Sequence, residues 1–265
     1  MAIAERIGVI GGNGWLGGAL IRAAVSAGAV DPARLMISSR SDNRGSIADI
    51  AATWTKDSAE LARRSDVVIL SVRPFQFREL SIDLRGKLAV SVMAGLSCDD
   101  IGRSTGATAI VRSMPNAAAA IGQSFTPWFA TQQVSPAHKT LVQTFFSASG
   151  EPAEMPLEEH IDYCAGMTGS GAAFPALLAE ALIAHAVAHG LPHDLAQKAA
   201  RRVVSGASQL FAGPSGDTAE IVKEMLEYRG VVAAALQAML DRGFMQAVAA
   251  GLDAASAKAA TIAST

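Results

Sequence analysis

The chain has 265 residues, with 22 basic and 24 acidic side chains and a formal net charge of −2. Half of its residues are hydrophobic, which excludes intrinsic disorder. The balanced charge argues against nucleic acid or an anionic membrane surface as the principal partner, so a small molecule is the expected ligand.

The cysteine and histidine content does not indicate a metal centre. Cys98 and Cys164 are far apart and lack metal-ligand spacing, so we expect reduced thiols in a cytoplasmic protein. His185, His189 and His193 are interrupted by glycine and proline, which favours surface or interface histidines. The first strand begins within a few residues and no apolar stretch could span a bilayer, so we expect neither a leader nor a membrane anchor.

The first predicted strand, residues 6–10, runs into a glycine-rich turn. The turn contains Gly12-x-Gly14-x-x-Gly17, and a helical stretch at 19–25 follows. In dinucleotide-binding proteins the first glycine allows a tight turn, the second lets the backbone approach a pyrophosphate, and the third lets helix and strand pack closely. The helix N-terminus then binds the phosphates. The alternative is a glycine-rich turn of another α/β protein.

The second predicted strand, residues 35–40, ends where dinucleotide folds bind the adenosine ribose. Ser39 and Arg40 stand where an acidic residue would select a free 2′-hydroxyl, with Ser41 and Arg44 close by. Hydroxyl and guanidinium donors suit a 2′-phosphate, so NADP(H) is the preferred cofactor and NAD(H) the alternative. A purely solvated Arg40 is the other interpretation.

Three further apolar runs are typical of central parallel strands. These strands cover residues 66–72, 87–93 and 107–114, and the predicted helices between and before them cover 57–64, 75–80 and 99–103. This alternation through about residue 150 predicts a Rossmann-type, doubly wound sheet of the α/β class. Ligands bind at the carboxyl ends of such strands, here at 71–74, 93–95 and 114–116.

The second half of the chain is alanine-rich, with apolar positions at helical spacing. The predicted helices are 157–189 (one long helix or two in tandem), 194–211, 218–227, 231–242 and 244–259, with a capping box at Asp217 and Glu220. Residues 169–173 lie inside the first of these, where glycines cost stability unless a helix or ligand approaches closely. We therefore predict a Rossmann-like domain at 1–154 and an all-helical domain at 155–265.

Several motifs, in order, resemble the pyrroline-5-carboxylate reductase family. These motifs are Val72-Arg73-Pro74, Met114-Pro115-Asn116, Met167-Thr168-Gly169-Ser170-Gly171-Ala172-Ala173-Phe174 and Gly190-Leu191-Pro192. The resemblance implies a Rossmann domain that binds NAD(P)H and a helical dimerisation domain that builds an intertwined homodimer. It also implies reduction of a cyclic imino acid to proline.

The resemblance also implies binding residues. For the cofactor they are Gly12, Asn13, Gly14, Trp15, Leu16 and Gly17 at the pyrophosphate, Ser39 and Arg40 at the ribose phosphate, and Val72, Arg73, Pro74, Ala94, Gly95 and Asn116 towards the nicotinamide. For the substrate they are Met114, Pro115, Asn116 and Ser170. No catalytic acid is identified, because imine reduction mainly requires the protein to orient the reactants.

One segment departs from the family pattern. The family usually has a Thr-Ser-Pro-Gly-Gly-Thr-Thr loop that grips the substrate carboxylate, whereas residues 226–232 here read Leu-Glu-Tyr-Arg-Gly-Val-Val. We hypothesise that Arg229 replaces the lost hydroxyls as a carboxylate clamp and that Glu227 pairs with an iminium or amine of the substrate. The alternative is a salt bridge between these two side chains or to a neighbouring helix.

This departure leaves two other functions open. One is an NADP-dependent reductase or dehydrogenase of a different imino, keto or hydroxy acid, with the same cofactor domain and an altered pocket. The other is an NADP-binding homologue without catalytic activity.

Overall fold

The computed structural model describes residues 3–211 and 217–262. The chain forms two compact units, Met1–Ser170 with Ala254–Thr265, and Gly171–Asp253. The division after Ser170 differs from the predicted boundary at residue 154. The helix that follows residue 154 belongs to the first unit and makes two ion pairs with Arg112. No helix among the described residues is both long and apolar enough to cross a membrane.

In the first unit the described residues form one eight-stranded sheet. Its strands are β1 (Ile7–Ile10), β2 (Leu35–Ser38), β3 (Thr53–Thr55), β4 (Val67–Leu70), β5 (Leu88–Ser91), β6 (Ala109–Ser113), β7 (Ser124–Ala130) and β8 (Gly150–Glu154). Their order is β3-β2-β1-β4-β5-β6-β7-β8, and every neighbouring pair is parallel except β6 with β7. Strands β2 and β3 are added on one side of β1, and β4 and the later strands on its other side. This topological switch point between β1 and β4 is where α/β sheets of this type bind ligands.

Helices accompany the strands of this unit. They are α1 (Trp15–Ser26), α2 (Ser58–Arg64), α3 (Pro74–Phe77), α4 (Cys98–Thr105), α5 (Pro136–Ser147) and α6 (Glu159–Met167). Successive strand residues enter different apolar clusters: Ile7 and Val9 join the cluster that contains Phe146 of α5, whereas Ile10 joins the one that contains Leu61 of α2. Because side chains alternate along a strand, these two clusters form the core on the two faces of the sheet.

The strands predicted from buried apolar runs are confirmed to within a few residues. The sequence did not predict β3, β7 and β8, nor α5 between the last two. The first of these strands has three residues, and β7 and β8 contain Pro127 and Pro152. Proline removes a ladder hydrogen bond and occurs mainly near sheet edges, so these segments lack the signature of a central strand.

The second unit is helical, as predicted. Its described helices are α7 (Ala173–Ala188), α8 (His193–Ala207), α9 (Thr218–Glu227), α10 (Val231–Asp241) and α11 (Phe244–Ile262), the last of which begins in this unit. Asp217 caps α9 by accepting the N–H groups of Ala219 and Glu220.

Of the two alternatives for residues 157–189, two helices in tandem is confirmed, as α6 and α7. The placement of the glycine segment inside a helix is wrong, because residues 169–172 form the turn between these two helices. The N–H groups of Thr168 and Gly169 both donate to the carbonyl of Cys164, which ends α6. A Cβ at Gly169 would lie 2.5 Å from the carbonyl oxygen of Ala165, so the turn requires glycine there.

Candidate functional site

The turn between β1 and α1 is held against the end of β4. Gly11 has a φ of +82°, in the left-handed region, and a Cβ there would lie 2.4 Å from the carbonyl oxygen of Ser71. The predicted position of the tight turn, Gly12, is wrong, because Gly11 is the glycine with positive φ. A Cβ on Gly12 would instead press against Ile21 of α1 and Ile37 of β2, each at 2.8 Å. The adjacent Gly11-Gly12 pair was the available signal for the correct assignment.

The start of α1 is open to an anion. Gly14 is the N-cap residue, and no side chain caps the helix. The only atom close to a Cβ on Gly14 would be the carbonyl oxygen of Gly11 at 3.1 Å, within the part of the chain that the structure describes. Gly17 packs the helix closely, because its Cβ would lie 2.9 Å from Ser71 Oγ. The uncapped N–H groups and the positive dipole end suit a pyrophosphate.

A cleft of about 330 Å³ opens beside this turn, at the carboxyl ends of β1 and β2. Its lining residues are Ile10, Gly11, Asn13, Ser38, Ser39, Arg40, Ser41, Lys56, Ser58, Val72, Gln76, Glu79 and Leu80. The structure thus brings together four of the predicted cofactor residues, at positions 13, 39, 40 and 72. Leu16 packs against the core, and Trp15, with 63% of its surface exposed, lines a different groove beside Ile121.

The far end of the cleft carries hydroxyl and basic groups. The buried Ser39 hydroxyl donates to the carbonyl of Ser41 at 2.9 Å and accepts its N–H at 3.2 Å, which fixes the loop after β2. The Arg40 guanidinium is 3.6 Å from Glu79, and both side chains are mostly exposed. An exposed pair of this kind contributes little stability, so the guanidinium is free to turn towards a phosphate.

Lys56 is a second cation in this cleft that the sequence analysis missed. It follows β3 directly, and its Nζ lies 2.8 Å from Asp42 Oδ1. Lys56 was missed because β3 was not predicted. Once Thr53–Thr55 is recognised as a strand that pairs with β2, Lys56 lies at its carboxyl end, next to the loop after β2. Arg44 lies further out, 5.1 Å above the ring of Trp54.

The remaining predicted cofactor residues follow β4, β5 and β6. Arg73 precedes α3, and its N–H donates to Gln76 Oε1 at 3.2 Å. Gly95 has a φ of +75°, as required at the turn after β5. These positions lie at the carboxyl edge of the sheet, where the sequence analysis expected the nicotinamide end of the cofactor.

Asn116 joins three segments at the end of β6. Its N–H donates to Ser124 Oγ at 3.0 Å, and its side-chain oxygen accepts the N–H of Ala118 at 2.9 Å. Its side-chain nitrogen donates to the carbonyl of Thr168 at 3.0 Å, which brings the turn that contains Ser170 close to the predicted substrate residues Met114 and Pro115.

The second unit contains the segment that departs from the family pattern. Arg229, between α9 and α10, has a φ of +53° and is the only described non-glycine residue in the left-handed region. The ion pairs among the described residues include none between Glu227 and Arg229, and Glu227 Oε1 instead lies 4.0 Å from Lys223 Nζ, one helical turn earlier. Tyr228 and Val231 beside it are 85% and 89% exposed.

The switch-point cleft, its glycine turn and its basic end define a dinucleotide-dependent oxidoreductase. Residues 6–95 match the family model "NADP oxidoreductase coenzyme F420-dependent", and residues 158–262 match "Pyrroline-5-carboxylate reductase dimerisation". A pyrroline-5-carboxylate reductase of Synechocystis sp. is 32% identical over 203 residues, 75% of this chain and 76% of that protein. Another from Corynebacterium melassecola is 31% identical over 263 residues, 89% of this chain and 96% of that protein. The chain belongs to the pyrroline-5-carboxylate reductase family.

Solved structures support the same fold. A pyrroline-5-carboxylate reductase from Coxiella burnetii superposes with a TM-score of 0.88 at 24% identity, covering 99% of this chain and 100% of that one. The Plasmodium falciparum pyrroline carboxylate reductase with NADP bound has a TM-score of 0.84 at 21% identity, with the same coverage. The predicted family and fold class are therefore confirmed.

Proposed function

We propose that the chain is an NADPH-dependent reductase that converts pyrroline-5-carboxylate into proline. The observation that carries this proposal is its 32% identity, over three quarters of both chains, with a pyrroline-5-carboxylate reductase. The glycine turn and the basic cleft of the first unit supply the site that such an enzyme needs for its cofactor.

NADP(H) fits the residues of the first unit. The uncapped start of α1 and the backbone around Gly14 would hold the pyrophosphate, and Ser39, Arg40 and Lys56 would hold the 2′-phosphate. When bound, the reduced nicotinamide supplies a hydride. The chain's own contribution is to orient the cofactor and the imine at the carboxyl edge of the sheet, where Asn116 ties the end of β6 to the turn after α6.

The two cations of the cleft lead to a prediction about cofactor choice. We expect Arg40→Ala and Lys56→Ala each to raise the KM for NADPH by about tenfold and to leave the KM for NADH unchanged, because each removes one charge-assisted bond to a 2′-phosphate. Steady-state kinetics with both cofactors provide the test. Arg63→Ala, an exposed cation near the other end of α2, is the matched control and should alter neither KM. Equal effects on both cofactors would contradict a 2′-phosphate contact.

Arg229 is our candidate for the substrate carboxylate. A non-glycine residue in the left-handed conformation costs about 1 kcal/mol, and such strain is found most often at functional sites. Among described residues, its guanidinium has no ion-pair partner in the chain. An exposed arginine held in this way can bind a carboxylate in a bidentate manner, and Glu227 close by would face a positively charged imine.

This assignment predicts opposite effects on stability and on binding. Arg229→Gly should raise the free energy of unfolding by about 0.5 kcal/mol, because glycine tolerates positive φ. It should also raise the KM for the imino acid by about tenfold, because a charge-assisted contact is lost. Urea denaturation and steady-state kinetics measure the two effects. Arg229→Asn tolerates the same backbone and should raise the KM equally. An unchanged KM for the imino acid in both variants would contradict the proposal that Arg229 binds the substrate carboxylate.

We further propose that the chain is a cytoplasmic homodimer. The cytoplasmic assignment is supported by two buried free thiols, Cys98 and Cys164. The dimer is supported by the dimerisation model that covers residues 158–262 and by the exposed apolar side chains of α7, α9 and α10. In the described structure none of these three helices contains a buried residue.

The proposed reaction is tested by following NADPH oxidation in the presence of purified protein and pyrroline-5-carboxylate, with NADH in parallel. We expect turnover with a preference for NADPH. Residues 226–232, which differ from the family loop, favour one second candidate, a reductase of a different imino, keto or hydroxy acid. NADPH binding without turnover of pyrroline-5-carboxylate would support that candidate. If none of a panel of imino, keto and hydroxy acids is turned over either, the chain would be a non-catalytic NADP-binding homologue.

A further inference from the structure

A buried arginine lies two positions before the proposed substrate segment, which begins at Met114. The Arg112 side chain, on β6, is 3% exposed and donates to Glu158 Oε1 and Asp162 Oδ1, each at 2.7 Å. Burial disfavours the charged guanidinium, but the hydrogen bonds that it donates to Asp162 and Glu158 outweigh this effect and raise the pKa of Arg112. The guanidinium therefore stays charged and holds both carboxylates at the start of α6.

The Glu158 carboxylate also fixes the start of α4. Glu158 Oε1 accepts the N–H of Cys98, the first residue of α4, at 2.7 Å. Burial, together with the charge of Glu158, raises the pKa of the Cys98 thiol to about 12. The thiol is thus neutral at physiological pH, so Cys98 serves in packing and the polar network consists of Arg112, Glu158 and Asp162.

The other end of α6 is held by the segment that follows β6. Asn116 donates to the carbonyl of Thr168, immediately after the last residue of the helix. Arg112 and Asn116 lie four positions apart on one strand end, and they hold the first turn of α6 and its C-terminus. Two attachments prevent the helix from pivoting, whereas one attachment would not.

Stability alone does not account for this arrangement. A buried ion pair is often no more stabilising than apolar residues of the same volume, because both charges lose their hydration. Arg112 Nε is in addition buried without a hydrogen-bond partner among the described residues, which is unfavourable. The network instead provides fixed geometry, because a planar guanidinium bonded at two nitrogens defines one orientation of its partners.

We infer that Arg112 is a positioning residue for the reductase reaction. It fixes α6, and with it the turn at Thr168 to Ser170, opposite Met114 to Asn116 at the end of β6. This inference rests on the proposed function, since it assigns to these two segments the alignment of the imine. Arg112 acts through Glu158 and Asp162 and does not itself touch the substrate.

The experiment compares Arg112→Lys, Glu158→Gln and Asp162→Asn with the wild type. We expect the first two to lower kcat for the imine by about tenfold, while the dissociation constant for NADPH changes less than about twofold, because the cleft beside β1 and β2 is untouched. Asp162 is 44% exposed, so its variant should have a smaller effect and should fold in any case. Arg6→Lys is the control, since Arg6 makes a similar two-nitrogen pair with Asp66 elsewhere in the first unit.

Hydrogen exchange of the α6 amides gives a readout that does not require activity. We expect faster exchange over residues 159–167 in the Arg112 and Glu158 variants and unchanged exchange in β1 and β4. Unchanged kcat in folded variants, or a parallel loss of NADPH binding, would overturn the inference. If the wild type reduces no imine, the proposed function fails by itself. In that case unchanged α6 exchange would still overturn the positioning of this helix by Arg112, and faster exchange would support it.

Discussion

Replacing Gly11 by alanine should abolish NADPH binding and lower the free energy of unfolding by about 3 kcal/mol. Gly11 has a φ of +82°, and its Cβ would lie 2.4 Å from the backbone oxygen of Ser71 and 2.7 Å from Val72. Both contacts follow β4, which is paired with β1 in the centre of the sheet. The turn can therefore accept a Cβ only by moving away from the phosphate site. Fluorescence titration with NADPH and urea denaturation measure the two effects.

Two other glycines separate backbone strain from cofactor contact. Gly28 has a φ of +67° with no atom within 4 Å of its Cβ position in the described structure. Gly28→Ala should cost about 1 kcal/mol and leave NADPH affinity intact. Gly14→Ala should do the reverse and weaken NADPH binding strongly with a small loss of stability, because its Cβ would have a single close neighbour, the carbonyl oxygen of Gly11 at 3.1 Å, and would occupy the helix start where the pyrophosphate would bind. NADPH affinity of Gly11→Ala within about threefold of wild type would contradict a pyrophosphate at this turn.

Leu177→Glu should convert the proposed homodimer into a monomer and remove most of the reductase activity. Leu177 is 72% exposed on α7, a helix with apolar residues on all sides and no buried residue in the described structure. A helix of this composition requires burial, and the proposed dimer interface supplies it. A carboxylate placed there without a partner raises the dissociation constant of the dimer by about a hundredfold or more. Analytical ultracentrifugation across a range of protein concentrations measures that constant.

The control places the same charge on an exposed apolar residue of the first unit. Ile121 is also 72% exposed, and it lies outside the residues that match the dimerisation model. Ile121→Glu should remain dimeric. A wild-type chain that is monomeric at micromolar concentration would contradict the proposed assembly, and so would a Leu177→Glu variant that dimerises as tightly as the wild type.

Local patterns along the sequence determined most of the first unit. The runs at β1, β2, β4, β5 and β6 are apolar and β-branched, and each strand of this kind is recognisable without its neighbours. The glycine pattern and the serine and arginine after β2 were equally local. They predicted the cofactor class, and the family relationship followed from motifs in order. The helices of the second unit were visible from their apolar spacing, because that spacing depends on helix geometry alone.

Contacts between distant residues decided the rest. The strands β7 and β8 contain prolines and form because β6 offers β7 a partner, which local composition does not encode. Glycine is required at position 11 because the backbone of Ser71, sixty positions later, leaves no room for a side chain there. Lys56 joins the cleft through β3, and Arg112 meets Glu158 and Asp162 across more than forty residues. Local sequence patterns thus determined the central strands, the helices of the second unit and the cofactor class. Tertiary packing alone decided the strands near the sheet edges and which side chains meet, because hydrogen bonds and steric contacts depend on separation in space and not along the chain.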